Sequence, residues 1–117
     1  MPWVAAVELN KVLKAGAMIY MQSHPTWPLH EEPWDFFRFS KDAWSGLFNR
    51  LTGFEIVEAG YGIEAAIVPR VAAGGALGGI DGCRTYLLSA CVARKVGEPL
   101  VDWSADPSLV YDLHYSH

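Results

Sequence analysis

The first part of the chain joins an amphipathic segment to a continuously apolar one, and this order predicts a helix followed by a strand. Apolar side chains recur at helical spacing from about Trp3 to Lys14, Pro2 suits the first helical turn, and Gly16 can cap the end. The apolar run of residues 17–22 is typical of a strand buried on both faces of a parallel sheet. A helix that enters such a strand through a glycine indicates an α/β unit.

The middle of the chain predicts a second helix and a second strand. Ser40 is a suitable N-cap for a helix whose apolar face continues to Leu51 and which ends at Gly53. Residues 54–59 alternate as a half-buried strand does, and the two glycines of residues 60–62 predict a turn that closes it.

The last third contains one further regular segment. Residues 63–68 could form a short strand, whereas residues 70–84 include the run GGALGG and predict a flexible connection. Residues 85–96 fit a strand or a helix by periodicity, and their β-branched and tyrosine side chains favour a strand. Residues 107–113 could form a short helical turn.

Composition and charge limit the partners and the compartment. The 117 residues are 51% hydrophobic and 13% aromatic, which is enough to bury one core. A net charge of -4 provides no basic surface for phosphates, so we expect neither nucleic acid nor a membrane as partner. The sequence has no basic leader and no apolar run long enough to span a bilayer, which predicts a cytoplasmic protein. Cys83 and Cys91 form no CxxC motif, so we expect both to be reduced and Cys91 to lie in the core.

An ordered set of short motifs resembles a known family. The set consists of VLKAG at 12–16, FRFS at 37–40, FEIV at 54–57 and ACVARK at 90–95. Together they resemble the C-terminal half of S-adenosylmethionine-dependent methyltransferases of the doubly wound class, well over residues 3–60 and loosely over 85–103. In that family a helix leads into the fifth strand, another helix and a sixth strand follow, and the seventh strand is antiparallel.

The resemblance implies a fold and a missing part. The implied fold is α/β, or α+β by count: a truncated doubly wound sheet of about three to four strands with flanking helices, in one domain over residues 1–117. The family holds its cofactor on a glycine-rich turn and an acidic residue that precede the matching segments. The GGALGG run follows no clear strand and opens no clear helix. We therefore expect no catalytic residue and no cofactor, with S-adenosylmethionine bound only if a partner supplies the missing half.

The resemblance also predicts an association edge. In the family the fifth strand is central and pairs with the fourth on one side, and here that side would be bare. No charge or proline protects it, which favours pairing with another chain. A homodimer is the simplest solution, and a second chain that supplies the missing half is the alternative. The predicted edge consists of Met18, Ile19, Tyr20, Met21 and Gln22.

A polar and aromatic loop follows the predicted first strand, at the end of a strand where open α/β sheets bind ligands. It could form the rim of a small-molecule pocket, bind a metal through His24, His30 and Glu31, or only pack against the helix of Trp44. The histidine spacing matches no rigid metal motif. The candidate pocket residues are His24, Trp27, His30, Glu31, Glu32, Trp34, Asp35 and Arg38.

Three functions remain open at this point. The first is a methyltransferase-like half-domain that is not catalytic alone and acts as a self-associating binding or interaction module, with a possible small-molecule ligand. The second is one part of a split methyltransferase completed by another chain. The third is a small metal-dependent enzyme that uses the histidines of the loop.

Overall fold

The computed structural model describes residues 1–30, 32, 37–72 and 74–106. Within these ranges the chain combines two α-helices with a three-stranded sheet, which confirms the α+β class with flanking helices. The helices are α1 (Pro2–Val12) and α2 (Ala43–Leu47), and the strands are β1 (Met18–Ser23), β2 (Phe54–Ala65) and β3 (Thr85–Lys95). Single 3-10 turns occur at Arg50–Thr52, Gly75–Leu77 and Ile80–Gly82.

The last strand along the chain is the middle strand of the sheet. The order is β1-β3-β2, and β3 is antiparallel to both neighbours. Strands β1 and β2 therefore run in the same direction, and the segment between them includes α2. Among the described residues β1 and β2 form the two edges of the sheet.

Both helices pack on one face of the sheet and close a small aromatic core. Alternate residues of β3 point to this face, and Cys91, as predicted, is buried there with 2% of its surface exposed. The Phe39 ring stacks on Trp44 with centroids 5.1 Å apart, so this part of the loop packs against α2. The buried core cluster consists of Ala6, Trp44, Phe48, Phe54, Cys91 and Ala93.

Hydrogen bonds with Lys95 of β3 fix the connection from α1 to β1. Gly16 has a φ of 80°, the left-handed conformation that glycine adopts without strain, and its N–H donates to the Lys95 carbonyl over 2.9 Å. The Lys95 ammonium donates to the carbonyls of Asn10 and Leu13 at 2.9 and 2.8 Å. The last turn of α1 is therefore capped by a side chain of the central strand.

The burial predicted for the first strand is wrong, although its position is right. Met18, Tyr20 and Gln22 are exposed, whereas Ile19 and Met21 between them are half-buried and pack against the core. Helices cover only one face of this part of the sheet in the described structure, so alternate side chains of β1 face solvent. The sheet is antiparallel throughout, because its middle strand β3 runs opposite to both neighbours.

Two other boundaries differ from the predictions. The predicted turn at residues 60–62 is wrong, because β2 continues through both glycines to Ala65 and pairs with β3 along that length. The predicted helix from Ser40 to Leu51 is shorter and interrupted. Ser40 Oγ accepts a hydrogen bond from Ala43 N, but α2 ends at Leu47, and Asn49 caps a separate 3-10 turn.

The remaining predictions concern the third strand, the connection and the tail. The strand predicted at residues 85–96 is confirmed as β3. The predicted strand at 63–68 is present only as the last residues of β2. The connection at 70–84 contains two exposed 3-10 turns where it is described. The predicted helical turn at 107–113 lies outside the described residues.

Candidate functional site

Three of the predicted pocket residues meet in the loop after β1. The His24 ring stacks on Trp27 with centroids 4.3 Å apart and planes inclined by 20°. The His30 ring meets His24 edge-on at 5.7 Å. The loop therefore gathers two imidazoles and an indole into one cluster, here called the histidine cluster.

Backbone and hydroxyl hydrogen bonds hold this loop in place. Arg38 donates to the carbonyls of Trp27 and Pro28 at 3.2 and 3.5 Å, so its guanidinium binds the loop backbone. The Thr26 hydroxyl lies 2.7 Å from that of Thr85 at the start of β3. The histidine cluster is thus attached to the sheet as well as to the segment that leads into α2.

The other predicted pocket residues contribute less to what is described. Glu32 is exposed at a turn, while Glu31, Trp34 and Asp35 lie outside the described residues. Within the described ranges no three His, Cys, Asp or Glu side chains are arranged to hold a metal ion. The proposed metal set of His24, His30 and Glu31 therefore includes one ligand whose position is not described.

The predicted association edge lies on an edge strand of the described sheet. Met18 and Tyr20 are 54% and 63% exposed, and the Tyr20 hydroxyl donates to Gln22 Oε1 over 2.8 Å. Ile19 and Met21 point to the opposite face and extend the core to this edge. In the part of the chain that the structure describes, no strand pairs with the outer edge of β1, which lies between an apolar core side and an outer side with Tyr20 at its centre.

The outer face of the sheet contains a groove that the sequence analysis did not predict. Its volume is about 310 Å³, and it crosses all three strands. Tyr20 and Glu58 both pair with Val92 of β3, so they stand on opposite sides of that residue. Gly60 and Ala90 are also register partners. Because neither has a large side chain, they form a low floor beside Tyr20 and Glu58. We call this site the open-face groove; its main lining residues are Tyr20, Glu58, Gly60, Gly62, Ala90 and Val92.

The sequence does not predict the groove by local rules, because Gly60 and Gly62 favour a turn. Two glycines two positions apart in a strand remove two neighbouring side chains from the same face. The β-branched and aromatic residues of β3 are the signal that a strand is available to pair with this segment. With β2 extended through its glycines, alternation alone places Glu58, Gly60 and Gly62 on one face.

The described residues offer no cradle for a nucleotide-like cofactor. Such a cradle is a glycine-rich turn that leaves a strand and opens a helix, whose backbone N–H groups bind the ligand. Gly75 and Gly79 have left-handed φ values of 60° and 76°, but their segment is separated from β2 by nine residues and forms single 3-10 turns. No described strand is followed directly by a glycine-rich turn and a helix, so no step with S-adenosylmethionine can be derived from these residues.

Comparisons with other proteins add no relative. No protein-family model, no curated protein and no solved structure matches the chain. Among the described helices none has the length and apolar character needed to cross a membrane.

Proposed function

We propose that this chain is a methyltransferase-like half-domain that acts as a self-associating interaction module and is not catalytic alone. The single observation that carries the proposal is the position of β1 at the edge of the described sheet. The strand contains no charged residue and no proline, which are the residues that commonly prevent an edge strand from pairing with another chain. The occupant we propose for that edge is β1 of a second copy of the chain.

The sequence of β1 is suited to pairing with itself. In an antiparallel pair centred on Tyr20, Ile19 of one copy lies opposite Met21 of the other, on the side of the core. Met18 lies opposite Gln22 on the outer side, and the two Tyr20 rings meet at the two-fold axis. Every pair is free of like charges, and the two cores become continuous. A two-fold contact of this kind buries the same patch twice and forms one six-stranded sheet.

The state of the cysteines agrees with the compartment we propose. Cys83 and Cys91 are both free thiols, and Cys83 is exposed. Exposed free thiols persist in reducing compartments and tend to be oxidised outside them. We therefore expect the module to work in the cytoplasm.

The first experiment measures solution mass by light scattering, with a calorimetric titration of S-adenosylmethionine on the same sample. We expect twice the monomer mass and no heat of cofactor binding. Tyr20→Lys should shift the equilibrium to the monomer, because two like charges would then lie opposite each other at the axis.

Val57→Lys is the matched control for the edge variant. Val57 is also exposed on an edge strand and receives the same charge, but it lies on β2 at the opposite edge of the sheet. The control should remain dimeric. A monomeric wild-type chain, or an equal loss of dimer in both variants, would rule out pairing through β1.

A second function is favoured by the strand directions. Strands β1 and β2 run in the same direction with α2 between them, and β3 is antiparallel to both. This order agrees with the fifth strand, helix, sixth strand and antiparallel seventh strand of the family that the sequence resembles. We infer as the alternative that a separate polypeptide with the glycine-rich turn completes the sheet at β1 to form a methyltransferase.

The alternative predicts a one-to-one complex. Co-expression with a polypeptide that carries an acidic-x-Gly-x-Gly turn after a strand should yield a heterodimer that binds S-adenosylmethionine. Tyr20→Lys should weaken that complex also. A self-associated chain that forms no heterodimer would leave the homodimeric module as the function.

A further inference from the structure

We propose that the open-face groove binds a small organic amine, with the ammonium group at Glu58 and an apolar body on the floor of the groove. The proposal concerns the outer face of the sheet and does not depend on pairing through the β1 edge. It is carried by the composition of the groove, in which one carboxylate stands above a floor of small and aliphatic residues across from the Tyr20 side chain.

The floor suits an apolar body of modest size. Gly60, Gly62 and Ala90 contribute little or no side chain, and Val92 supplies an aliphatic surface beside them. The groove volume of about 310 Å³ lies at the lower end of the range that small-molecule sites occupy. Contact with this floor removes apolar ligand surface from water, which favours binding.

The charges of this face select a cation. Glu58 is the acidic residue of the groove, and none of the ion pairs of the described residues involves it. The neighbouring acids on β2 already have partners: Glu55 lies 2.9 Å from Arg94, and Glu64 lies 3.7 Å from Arg84. A ligand ammonium is thus the complementary partner for Glu58, while a carboxylate ligand would meet like charge.

Tyr20 adds a second preference for a cation with an aromatic or alkyl body. Tyr20 is 63% exposed, and its hydroxyl is held by Gln22, which fixes the ring at one wall. A tyrosine ring attracts an ammonium group through its face and also supplies apolar surface for packing.

The test uses 2-phenylethylamine as the probe and 3-phenylpropanoate as a probe of similar size and opposite charge. Binding is followed by two-dimensional amide NMR on the full chain. We expect saturable shifts at Gly60, Gly62, Ala90 and Val92 for the amine, with a dissociation constant on the order of 1 mM because the groove is open to solvent. The carboxylate probe should give no saturable shift at these positions.

Two variants separate the charge from the shape of the groove. Glu58→Gln should weaken amine binding by about threefold, as expected for an ion pair near the surface. Gly60→Val should abolish binding, because a side chain there fills the floor. A Cβ at Gly60 meets no described atom within 4 Å, and valine suits a strand, so this variant should fold normally.

Glu8→Gln is the matched control, since it removes the same charge from the exposed side of α1. It should bind the amine as the wild type does. The proposal is overturned if the amine and the carboxylate bind equally, if Glu58→Gln and Glu8→Gln are indistinguishable, or if no saturable shift is seen. It is also overturned if the groove amides of β2 and β3 shift with protein concentration in the absence of amine while the amides of residues 18–22 do not, because a second copy would then cover this face instead of pairing along β1.

Discussion

The side-chain amide of Asn10 donates to the backbone carbonyl of Gly53 over 3.2 Å, although 43 residues separate the two along the chain. The same amide donates to the carbonyls of Thr52 and Gly97, both at 2.9 Å. Asn10 is fully buried. One side chain of α1 therefore joins the turn before β2 to the segment after β3 through three backbone carbonyls.

Gly53→Ala should destabilise the protein strongly because the new methyl group has no space. Gly53 has a φ of 80°, and a Cβ there would collide with Asn10 Nδ2 and with the Gly97 carbonyl oxygen. We expect a loss of about 3 kcal/mol or more in the free energy of unfolding, which combines backbone strain with overpacking. Urea denaturation followed by circular dichroism measures it.

Gly16→Ala is the control for backbone strain alone. Gly16 has the same φ of 80°, but a Cβ there meets no described atom within 4 Å. The expected loss is about 1 kcal/mol. Equal losses in the two variants would mean that the space around Gly53 does not matter.

Lys95→Met should destabilise the protein although it introduces an apolar side chain into the interior. The Lys95 side chain is 6% exposed, and its ammonium donates to two carbonyls at the end of α1 and lies 3.1 Å from Glu98 Oε1. Its removal leaves two carbonyls with one partner fewer, and hydrogen bonds from a charged donor are worth about 1.5–3 kcal/mol. We expect a loss on the order of 3 kcal/mol, measured by the same denaturation.

Arg94→Met is the neighbouring control. Arg94 also carries a positive charge on β3, but it lies on the outer face in an exposed ion pair with Glu55. Exposed ion pairs contribute about 0–1 kcal/mol, so the control should be nearly neutral. If Lys95→Met were as mild as Arg94→Met, the capping role of Lys95 would be excluded.

The elements that could be predicted from the sequence are those with strong local signals. Pro2 and Gly16 bracket α1, and the apolar run of β1 and the β-branched residues of β3 indicate strands without help from tertiary structure. The length of β2 could not be predicted in this way. Gly60 and Gly62 favour a turn locally, and only the ladder with β3 keeps that segment extended.

The buried polar residues Asn10 and Lys95 could be predicted only in part, because the sequence indicates their burial but not their partners. Asn10 follows Ala6 and Val7 at helical spacing, so the periodicity places an amide on the buried face of α1. Lys95 likewise continues the buried alternation of Ser89, Cys91 and Ala93 along β3. A polar residue at a core position indicates a partner, but the carbonyls that serve as partners lie far away in sequence and become known only from the fold.

Ser89→Ala should weaken the attachment of α2 to the sheet. The Ser89 hydroxyl accepts a hydrogen bond from Trp44 Nε1 at 3.2 Å and donates to the Phe39 carbonyl at 2.5 Å. Both partners are left without this bond in the variant, so we expect a loss of about 1–3 kcal/mol in the free energy of unfolding. Ser45→Ala is the control. The Ser45 hydroxyl donates to the Asp42 carbonyl in an exposed turn, so its removal should lower the free energy of unfolding by at most about 0.5 kcal/mol. The prediction fails if the two serines cost the same.

The buried thiol of Cys91 should make the protein less stable at alkaline pH. Burial raises the pKa of Cys91 from its ordinary value of 9.0 to about 11, because the thiolate is poorly solvated in the core. Between these two pKa values the unfolded chain loses the thiol proton and the folded chain keeps it. The contribution of this group to stability is therefore intact below pH 9 and declines as the pH rises toward about 11.

The measurement compares urea denaturation from neutral to alkaline pH for Cys83→Ser and for the double variant Cys83→Ser with Cys91→Ala. The single variant keeps the buried thiol and removes the exposed one, so the two proteins differ only at Cys91. Its stability should fall more steeply above pH 9 than that of the double variant, whatever their difference at neutral pH. Parallel curves would contradict the prediction, because Cys91 would then ionise as readily in the folded protein as in the unfolded chain. In that case a thiol reagent would also label Cys91 in the folded protein, whereas we expect burial to prevent this labelling.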